Sequence, residues 1–268
     1  MWKPKENTVS EGGKFMQPII FYDFETTDSN PLTCGIHQLS GAVIEKGKVV
    51  ERFNWFIKPK EGCSVSATAM WMAYKANGFG SVKAMRESDK YEPQDVVYKR
   101  FMNLFVKYGG GEYRDGHPRY VDRPMLGGFN VYKFDNEVLR QWMVDNGDVP
   151  KIGFFAADGC IDLLLISSIV LGRNLECMNN FKLKEVAWAF GVKVEKDKLH
   201  SSDYDTEMCI GIYKALIKRG YIFPISREEF FTIHSQEDMD RHNDEYWADR
   251  NSKDPEMEEW IKNFDENA

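Results

Sequence analysis

The chain has 268 residues, of which 43% are hydrophobic and 14% aromatic, enough to build the core of one large domain or of a domain with an appendage. No run approaches the roughly 18 apolar residues that span a bilayer, and the first 15 residues lack the apolar segment of a signal peptide, so we expect a soluble, cytoplasmic protein with no membrane partner. The five cysteines never form a CxxC pair, which argues against a disulfide framework and against a structural zinc site.

The net charge of −7 is unevenly distributed along the chain. Residues 226–268 contain 14 acidic and 5 basic residues, whereas residues 1–225 contain 28 acidic and 30 basic ones. Because nucleic-acid binding depends on the neutralisation of phosphates by Lys and Arg, an acidic chain would argue against a polyanionic partner. The body of this chain is close to neutral, so the argument applies only to the C-terminal segment.

The N-terminal third predicts a leader followed by strands. Residues 1–15 are polar and contain glycine, and we expect them to be flexible. Residues 18–25, PIIFYDFE, are apolar on both faces, which is typical of a central strand. Residues 37–59 contain two β-rich runs that meet at EKGK and therefore predict a hairpin.

Helices then alternate with short strands. The apolar spacing predicts helices over residues 66–77 and 93–107, and the glycine-rich stretch 108–124 reads as a loop. Residues 124–130, PMLGGFN, predict a short strand that leads into a helix ending at Gly147.

The later elements complete the predicted fold. Residues 160–172, CIDLLLISSIVLG, fit either a strand or a helix, residues 180–191 predict a compact helix, and residues 202–220 predict a long amphipathic helix. Strands followed by mixed strands and helices indicate an α/β or α+β sheet with helices packed on it.

The acidic C-terminal segment retains several large aromatic side chains, which argues against a purely solvated tail. These side chains are Phe230, Phe231, Trp247, Trp260 and Phe264. We therefore expect residues 226–268 to form a helical extension that packs at least in part.

Two acids stand at the end of the first predicted strand. Residues two apart in a strand point to the same face, so Asp23 and Glu25 project side by side. Two carboxylates this close repel, and desolvation penalises both charged forms, so we expect a strong cation beside them. The alternative is that the strand ends at Phe24 and that Glu25, Asp28 and Asn30 are solvated turn residues.

Further acids stand where other predicted elements meet. Asp135 follows a glycine-rich strand end and opens a helix, where it can also serve simply as a favourable charge at the helix N-terminus. His200, Asp203 and Asp205 surround the start of the long amphipathic helix, where Ser202 or Asp203 can act as the N-cap. Oxygen ligands of this kind suit Mg²⁺.

The order of these motifs resembles a known family. D-x-E-T-T from Asp23, N-x-x-x-F-D from Asn130 and H-x-x-x-x-D from His200 resemble the three motifs of the DnaQ-like 3′-to-5′ exonucleases, in particular the DEDDh branch. The resemblance runs from about residue 18 to 220. It implies an RNase H-like α/β fold, a central mixed sheet flanked by helices. Together with the composition of the two ends, it predicts a leader at 1–15, an exonuclease domain at 16–225 and the extension at 226–268.

The resemblance also assigns roles to single residues. It makes four acids the metal ligands, namely Asp23, Glu25, Asp135 and Asp205. It makes His200 the general base, and it places Thr26, Thr27 and Asn130 where the family holds the terminal nucleotide. The second motif is one residue longer than in proofreading subunits and is similar in this respect to the exonuclease I group, which degrades single-stranded DNA. Ser202 and Thr206 stand where alanine is frequent, and Asp28 where glycine is.

The function implied is hydrolysis of phosphodiester bonds at the 3′ end of nucleic acid, most of all single-stranded DNA, with two divalent ions, Mg²⁺ or Mn²⁺, as cofactors. Two alternatives stay open: an exoribonuclease of the same family, and a non-catalytic nucleic-acid-binding or scaffold subunit of a replication or repair complex. For the acidic extension, three roles are open: docking on a polymerase or another replication or repair protein, folding back over the body to limit non-specific binding, and packing alone.

Some other residues were candidates for binding roles. His37 and His117 have no acid or cysteine at metal spacing, and we expect them to be structural or solvated. His234 and His242 lie among acids of the extension, which makes them weak cation candidates. Five lysines before His200 can line a phosphate path or a solvated face, namely Lys182, Lys184, Lys193, Lys196 and Lys198. Met70, Trp71 and Met72 are expected in the core rather than in a base-stacking platform.

Overall fold

The computed structural model describes residues 17–109, 123–154, 156, 159–172, 178–195, 201–219, 227–251 and 254–264. Its centre is a five-stranded sheet in the order β3-β2-β1-β4-β5. The strands are β1 (Ile19–Thr26), β2 (Ile36–Glu45), β3 (Lys48–Phe56), β4 (Met125–Gly128) and β5 (Cys160–Asp162). Strands β1, β2 and β3 pair antiparallel, whereas β4 pairs parallel with β1 and with β5. The mixed sheet confirms the predicted fold class.

The turn of the β2–β3 hairpin explains why EKGK ends one strand and begins the next. Lys46 and Gly47 have φ angles of 51° and 75°. Two central residues with positive φ are the mark of a type I′ turn, whose twist matches that of the flanking strands. The hairpin therefore forms as predicted, with Glu45 opposite Lys48.

Ten helices are described around the sheet. They are α1 (Ala67–Asn77), α2 (Val82–Glu87), α3 (Gln94–Tyr108), α4 (Asp135–Asp145), α5 (Leu163–Leu171), α6 (Leu183–Ala189), α7 (Ser202–Lys218), α8 (Arg227–Ile233), α9 (Gln236–Asn251) and α10 (Pro255–Asn263). Within the described ranges, none of them has the length and apolar character needed to cross a membrane.

Strand β1 separates two cores by the alternation of its side chains. Ile20 and Tyr22 point to one face and pack with buried residues of α3 and α4. Ile19 and Phe21 point to the other face and pack with α5, α6 and α7. The sheet is thus covered by helices on both sides, and Asp23 and Glu25 continue the face of Ile19 and Phe21 toward α7.

The structure differs from the predicted elements at three places. Residues 160–172 form both a strand and a helix, because Asp162 ends β5 and caps α5 through hydrogen bonds from Leu164 N and Leu165 N. Helix α2 was not predicted. The N-cap of α7 is Ser201, so neither Ser202 nor Asp203 has that role. Most of the predicted loop 108–124 lies outside the described residues.

The acidic extension is helical where it is described, as α8, α9 and α10. Phe230 is fully buried in the core that includes α6 and α7, and Trp260 and Phe264 pack against a third cluster that includes Met70 and Tyr91. By contrast, 46% of the Trp247 surface is exposed. The expected partial packing of the extension is confirmed, whereas the proposed domain boundaries stay a prediction.

Candidate active site

Three carboxylates meet where β1 ends. One oxygen each of Asp23, Glu25 and Asp205 lies within 4.8 Å of the other two, and all three residues are partly exposed. Asp23 and Glu25 come from one face of β1, and Asp205 comes from the first turn of α7, 180 residues later in the sequence than Glu25. The α7 helix brings Asp205 there because it packs directly on β1 and β2.

The fourth predicted ligand lies beside this group on another element. Asp135 opens α4, is 4% exposed, and accepts a hydrogen bond of 3.0 Å from Phe24 N. This N–H is available because the parallel pairing of β1 with β4 ends at Phe21 and Gly127, so β1 continues without a neighbour on that side. Two residues earlier on β1, the Tyr22 hydroxyl donates to Asn136 Oδ1 at 2.6 Å, which links α4 to β1.

The four acids strongly influence one another. Burial raises the pKa of Asp23 from 3.8 to about 7. Burial raises the pKa of Glu25 well above its ordinary value, and the charges of Asp23, Asp205 and Asp135 raise it further. The pKa of Asp135 is also raised well above its ordinary value, first by burial and then by the charge of Asp23. These shifts show that the folded chain penalises the charged forms and that a cation would restore them.

The residues present fit a divalent cation. The group offers only carboxylate oxygens, which hard cations such as Mg²⁺ prefer over nitrogen or sulfur. Within the part of the chain that the structure describes, no lysine or arginine forms an ion pair with Asp23, Glu25 or Asp135. The acidic group can therefore hold a metal ion.

The predicted nucleotide-binding residues have different environments. Thr27 is fully buried; its hydroxyl donates to Ser64 O at 2.6 Å and accepts from Gly35 N at 2.8 Å, so its side chain is used inside the protein. Thr26 is partly exposed and its hydroxyl donates to Asp28 O. Asn130 is partly exposed and has a φ of 59°, a left-handed conformation that asparagine tolerates.

Asp162 holds this left-handed turn in place, and the sequence analysis did not single it out. Its side chain is 4% exposed and accepts hydrogen bonds from Asn130 N at 3.1 Å and from Tyr132 N at 3.0 Å, besides capping α5. A single carboxylate thus joins the end of β5 to the segment that contains Asn130 and Asp135. An acid placed between an apolar strand and an apolar helix was the available signal.

A buried polar network lies beside the acids on β2. The Ser40 hydroxyl contacts that of Ser202, and it also donates to Asn54 Oδ1 at 3.3 Å. Ser40 stands opposite Asp23 in the sheet, and Gln38 stands opposite Glu25 and donates to the same Asn54 oxygen. Ser40 and Ser202 have no exposed surface. The network joins β2 to the first turn of α7, three residues before Asp205.

His200 lies outside the described residues, as do His117, Lys196 and Lys198. The ends of the segment that contains His200 are both fixed to α7. On one side, Glu195 N donates to the Tyr204 hydroxyl at 2.6 Å. On the other side, Ser201 O accepts from Asp205 N at 2.9 Å. Asp203, the neighbouring acid, is exposed and does not belong to the carboxylate group.

The other histidines are structural where the structure describes them. His37 is 2% exposed, and burial lowers its pKa to about 4. His234 and His242 each stack on the ring of Trp188, with centroids 4.0 and 3.9 Å away, and His242 Nε2 lies 2.7 Å from the buried Glu185. These two histidines attach the extension to α6 rather than forming a metal cluster.

Two of the remaining lysines form ion pairs, and the three candidate residues of α1 differ in burial. Lys184 pairs with Asp249, and Lys193 with Glu195. Met70 is a core residue, as expected, and Trp71 is 7% exposed and lies against Trp260 of α10. The expectation for Met72 was wrong, because 37% of its surface is exposed.

Comparison with known proteins bears on the fold of the chain. No protein-family model matches the chain. A PolC-type DNA polymerase III from Mycoplasmopsis pulmonis (strain UAB CTIP) is 22% identical over 201 residues, which are 74% of this chain and 11% of the polymerase.

Solved structures of exonuclease I resemble most of the chain in fold. The zinc-bound complex of E. coli exonuclease I with single-stranded DNA has a TM-score of 0.56 and 20% identity, over 81% of this chain and 42% of that one. A product-bound exonuclease I has a TM-score of 0.56 and 18% identity, over 75% of this chain and 43% of that one. The chain therefore spans less than half of these nucleases and about a tenth of the polymerase. The structural neighbours show that it has the RNase H-like α/β fold of exonuclease I, as its resemblance to the DnaQ-like exonucleases implied.

Proposed function

We propose that the chain is a metal-dependent 3′-to-5′ exonuclease that hydrolyses single-stranded DNA. The observation that carries the proposal is the meeting of Asp23, Glu25 and Asp205 within 4.8 Å on the fold of exonuclease I. The three acids repel one another and their grouping costs stability, which supports a function that requires them together.

The chemistry explains this cost. Hydrolysis of a phosphodiester brings an anionic nucleophile to an anionic phosphate, so the stabilisation of negative charge dominates catalysis. Two divalent ions, Mg²⁺ or Mn²⁺, would balance the four carboxylates, neutralise the phosphate and lower the pKa of the attacking water. Asp23, Glu25 and Asp205 would hold one ion, and Asp135 would complete the site. The pKa values of Asp23, Glu25 and Asp135 are raised, as expected of metal ligands whose charged forms need a cation for stabilisation.

The remaining predicted residues have supporting roles in this proposal. His200 immediately precedes the N-cap of α7 and is four residues from the turn that contains Tyr204. A histidine has an ordinary pKa near 6.5 and can take a proton from water at neutral pH, so we assign His200 as the general base. Asn130 and Thr26 are partly exposed and would contact the terminal nucleotide, while Thr27 would act by holding the loop at Gly35 and Ser64.

The choice of DNA follows from the neighbours. A solved exonuclease I structure contains single-stranded DNA, and another is a complex with SSB-Ct. The PolC-type relative is a polymerase, which keeps open a partnership with the replication machinery. An exoribonuclease of the same fold is the second candidate, because the carboxylates cannot distinguish a ribose from a deoxyribose. We place the protein in the cytoplasm.

A gel assay tests the proposal. Single-stranded DNA and RNA of one sequence, labelled at the 5′ end, are incubated with the chain and Mg²⁺ or Mn²⁺. A ladder that shortens from the 3′ end is expected, with DNA the faster substrate. Asp205→Ala and a chelator should each abolish it, whereas Asp203→Ala, which changes an exposed acid on the same turn, should retain it.

Two outcomes would contradict the proposal. Full activity of Asp205→Ala would show that the cluster of carboxylates is not needed for catalysis. Binding of DNA without cleavage at any metal concentration would favour the non-catalytic alternative, a scaffold or binding subunit.

A further inference from the structure

The last helix of the extension covers an aromatic surface of α1. The Trp260 ring stacks on Tyr74 with centroids 5.0 Å apart and planes at 23°, and it lies 5.4 Å from the ring of Trp71. Glu256, one turn earlier on α10, lies 3.4 Å from Lys75 Nζ. Gly80 leaves room for the indole, since a Cβ at this position would lie 2.1 Å from the Trp260 ring.

This cover is weakly held. None of the residues of α10 is buried, and the indole N–H of Trp260 is enclosed without a hydrogen-bond partner among the described residues. An enclosed donor without an acceptor loses the free energy it had in water. The Lys75–Glu256 pair is exposed on both sides, where ion pairs contribute little. A helix of nine residues has little stability of its own, so α10 stays on α1 mainly through the packing of Trp260 and Phe264 against the third cluster.

The groups that α10 presents to α1 match those of a nucleotide. A planar aromatic ring stacks on Tyr74, and an anionic group pairs with Lys75 beside it. Surfaces that bind single-stranded nucleic acid combine aromatic rings for the bases with cations for the phosphates. Trp71, Tyr74 and Lys75, which we call the α1 aromatic surface, supply both, and Lys75 Nζ also lies 5.2 Å from the Trp71 ring centroid.

The α1 aromatic surface is directly connected to the proposed active site. Ser66, the N-cap of α1, donates its N–H to Thr27 O at 2.8 Å, and the Thr27 hydroxyl donates to Ser64 O. Tyr74 stands eight residues further along the helix, which is about 12 Å at the rise of an α-helix. A strand that ran from β1 along α1 would cover this distance within a few nucleotides.

We propose that α10 is a displaceable cover and that the α1 aromatic surface beneath it binds a base and a phosphate of a single-stranded nucleic acid, on the 5′ side of the cleaved bond. The proposal rests on the proposed function for the direction of the strand. In this proposal α10 competes with the substrate for the α1 aromatic surface. Only a strand long enough to displace α10 then binds both at the active site and at the α1 aromatic surface.

Binding measurements on the full chain test the proposal. The probe is a fluorescein-labelled oligothymidylate of about 20 nucleotides. Its binding is measured by fluorescence anisotropy, with a chelator present so that the probe is not cleaved. Trp260→Ala should lower Kd about five- to tenfold, because the competent surface is then no longer covered. The substitution leaves the net charge at −7, so the gain cannot come from bulk charge. Trp247→Ala, on α9, is the matched control and should leave Kd unchanged.

A second substitution locates the gain. Tyr74→Ala added to Trp260→Ala should return Kd to the wild-type value or above it. Glu256→Gln removes the exposed partner of Lys75 without adding a cation, and it should also lower Kd by weakening the cover. An unchanged or higher Kd in both Trp260→Ala and Glu256→Gln would overturn the proposal. So would a gain that survives Tyr74→Ala, or self-association of Trp260→Ala without tighter DNA binding, which would make a second copy the partner of this surface.

Cleavage measured in parallel with Mg²⁺ separates the two ideas. If wild type cleaves DNA but Trp260→Ala does not change Kd, the exonuclease proposal stands and the proposal of a displaceable cover is refuted. Tighter binding that depends on Tyr74, in a chain that never cleaves, would support the cover and refute the catalytic proposal.

Discussion

Replacing Asp23 by Asn should stabilise the metal-free protein while it abolishes function. Burial raises the pKa of Asp23 from 3.8 to about 7, so the folded state binds its proton more tightly than the unfolded state does. The unfolded chain loses this proton near pH 3.8 and the folded chain near pH 7. Stability is therefore fully present below pH 3.8, falls as the pH rises between these values, and stays lower above pH 7.

The size of the effect follows from the pKa difference. A shift of about three units at about 1.4 kcal/mol per unit gives a penalty of about 4 kcal/mol at pH 8. Asp23 is partly exposed and shares the site with Glu25, Asp135 and Asp205, so we expect about 2 kcal/mol from this residue alone. Asn has nearly the same shape as Asp and cannot ionise, so Asp23→Asn should recover this free energy.

Urea denaturation with a chelator at pH 5 and pH 8 measures the effect. Asp23→Asn should be more stable than wild type at pH 8, and the advantage should shrink at pH 5. Added Mn²⁺ should raise the stability of wild type much more than that of the variant, because a ligand that binds only the folded state stabilises it. Asp203→Asn is the control and should show neither change. A metal-free Asp23→Asn protein that is less stable than wild type at pH 8 would refute the electrostatic argument.

Three further predictions concern residues around the acids. Asp162→Ala should destabilise the protein by about 1–3 kcal/mol in thermal or urea unfolding, because it leaves the N–H groups of Asn130 and Tyr132 without an acceptor. It should also raise KM for the nucleic acid more than it raises the metal concentration needed for activity, and an unchanged KM would contradict this. Ser202→Ala should raise the Mg²⁺ concentration for half-maximal activity about tenfold, because the contact with Ser40 that orients the first turn of α7 is lost; an equal metal requirement would show that the network only packs. Wild type should lose up to about 3 kcal/mol of stability as the pH falls from 6.5 toward 4, since only the unfolded chain then protonates His37, and His37→Gln should remove this loss. Equal urea midpoints of variant and wild type at both pH 7 and pH 5 would exclude this role.

Much of the site was predictable because its strand alternates with a period of two. That period alone places Asp23 and Glu25 on the face of Ile19 and Phe21, and the structure puts α7 on the same face. The helix starts at Asp135 and near Asp205 were also readable, because each follows a break in the apolar pattern.

Other features had no local signal. CIDLLLISSIVLG is apolar throughout, so its period could not reveal that a strand becomes a helix at Asp162. The hydroxyl contact of Ser40 with Ser202 joins residues 162 apart in the sequence, and two serines have no pattern that predicts it. Thr27 looked like a substrate ligand, and only the packing of Gly35 and Ser64 around it shows that its hydroxyl is already bonded.

The long separation between β1 and α7 has a consequence for biosynthesis. Asp23 and Glu25 are made early, whereas Asp205 joins them only when α7 packs on the sheet. Contacts of such high sequence separation form late, because the chain between them must first be ordered. The repulsion of Asp205 with Asp23 and Glu25 is therefore absent while the first hairpin forms. A chain still being synthesised can fold its N-terminal strands without this burden and acquires the complete acidic group only at the end.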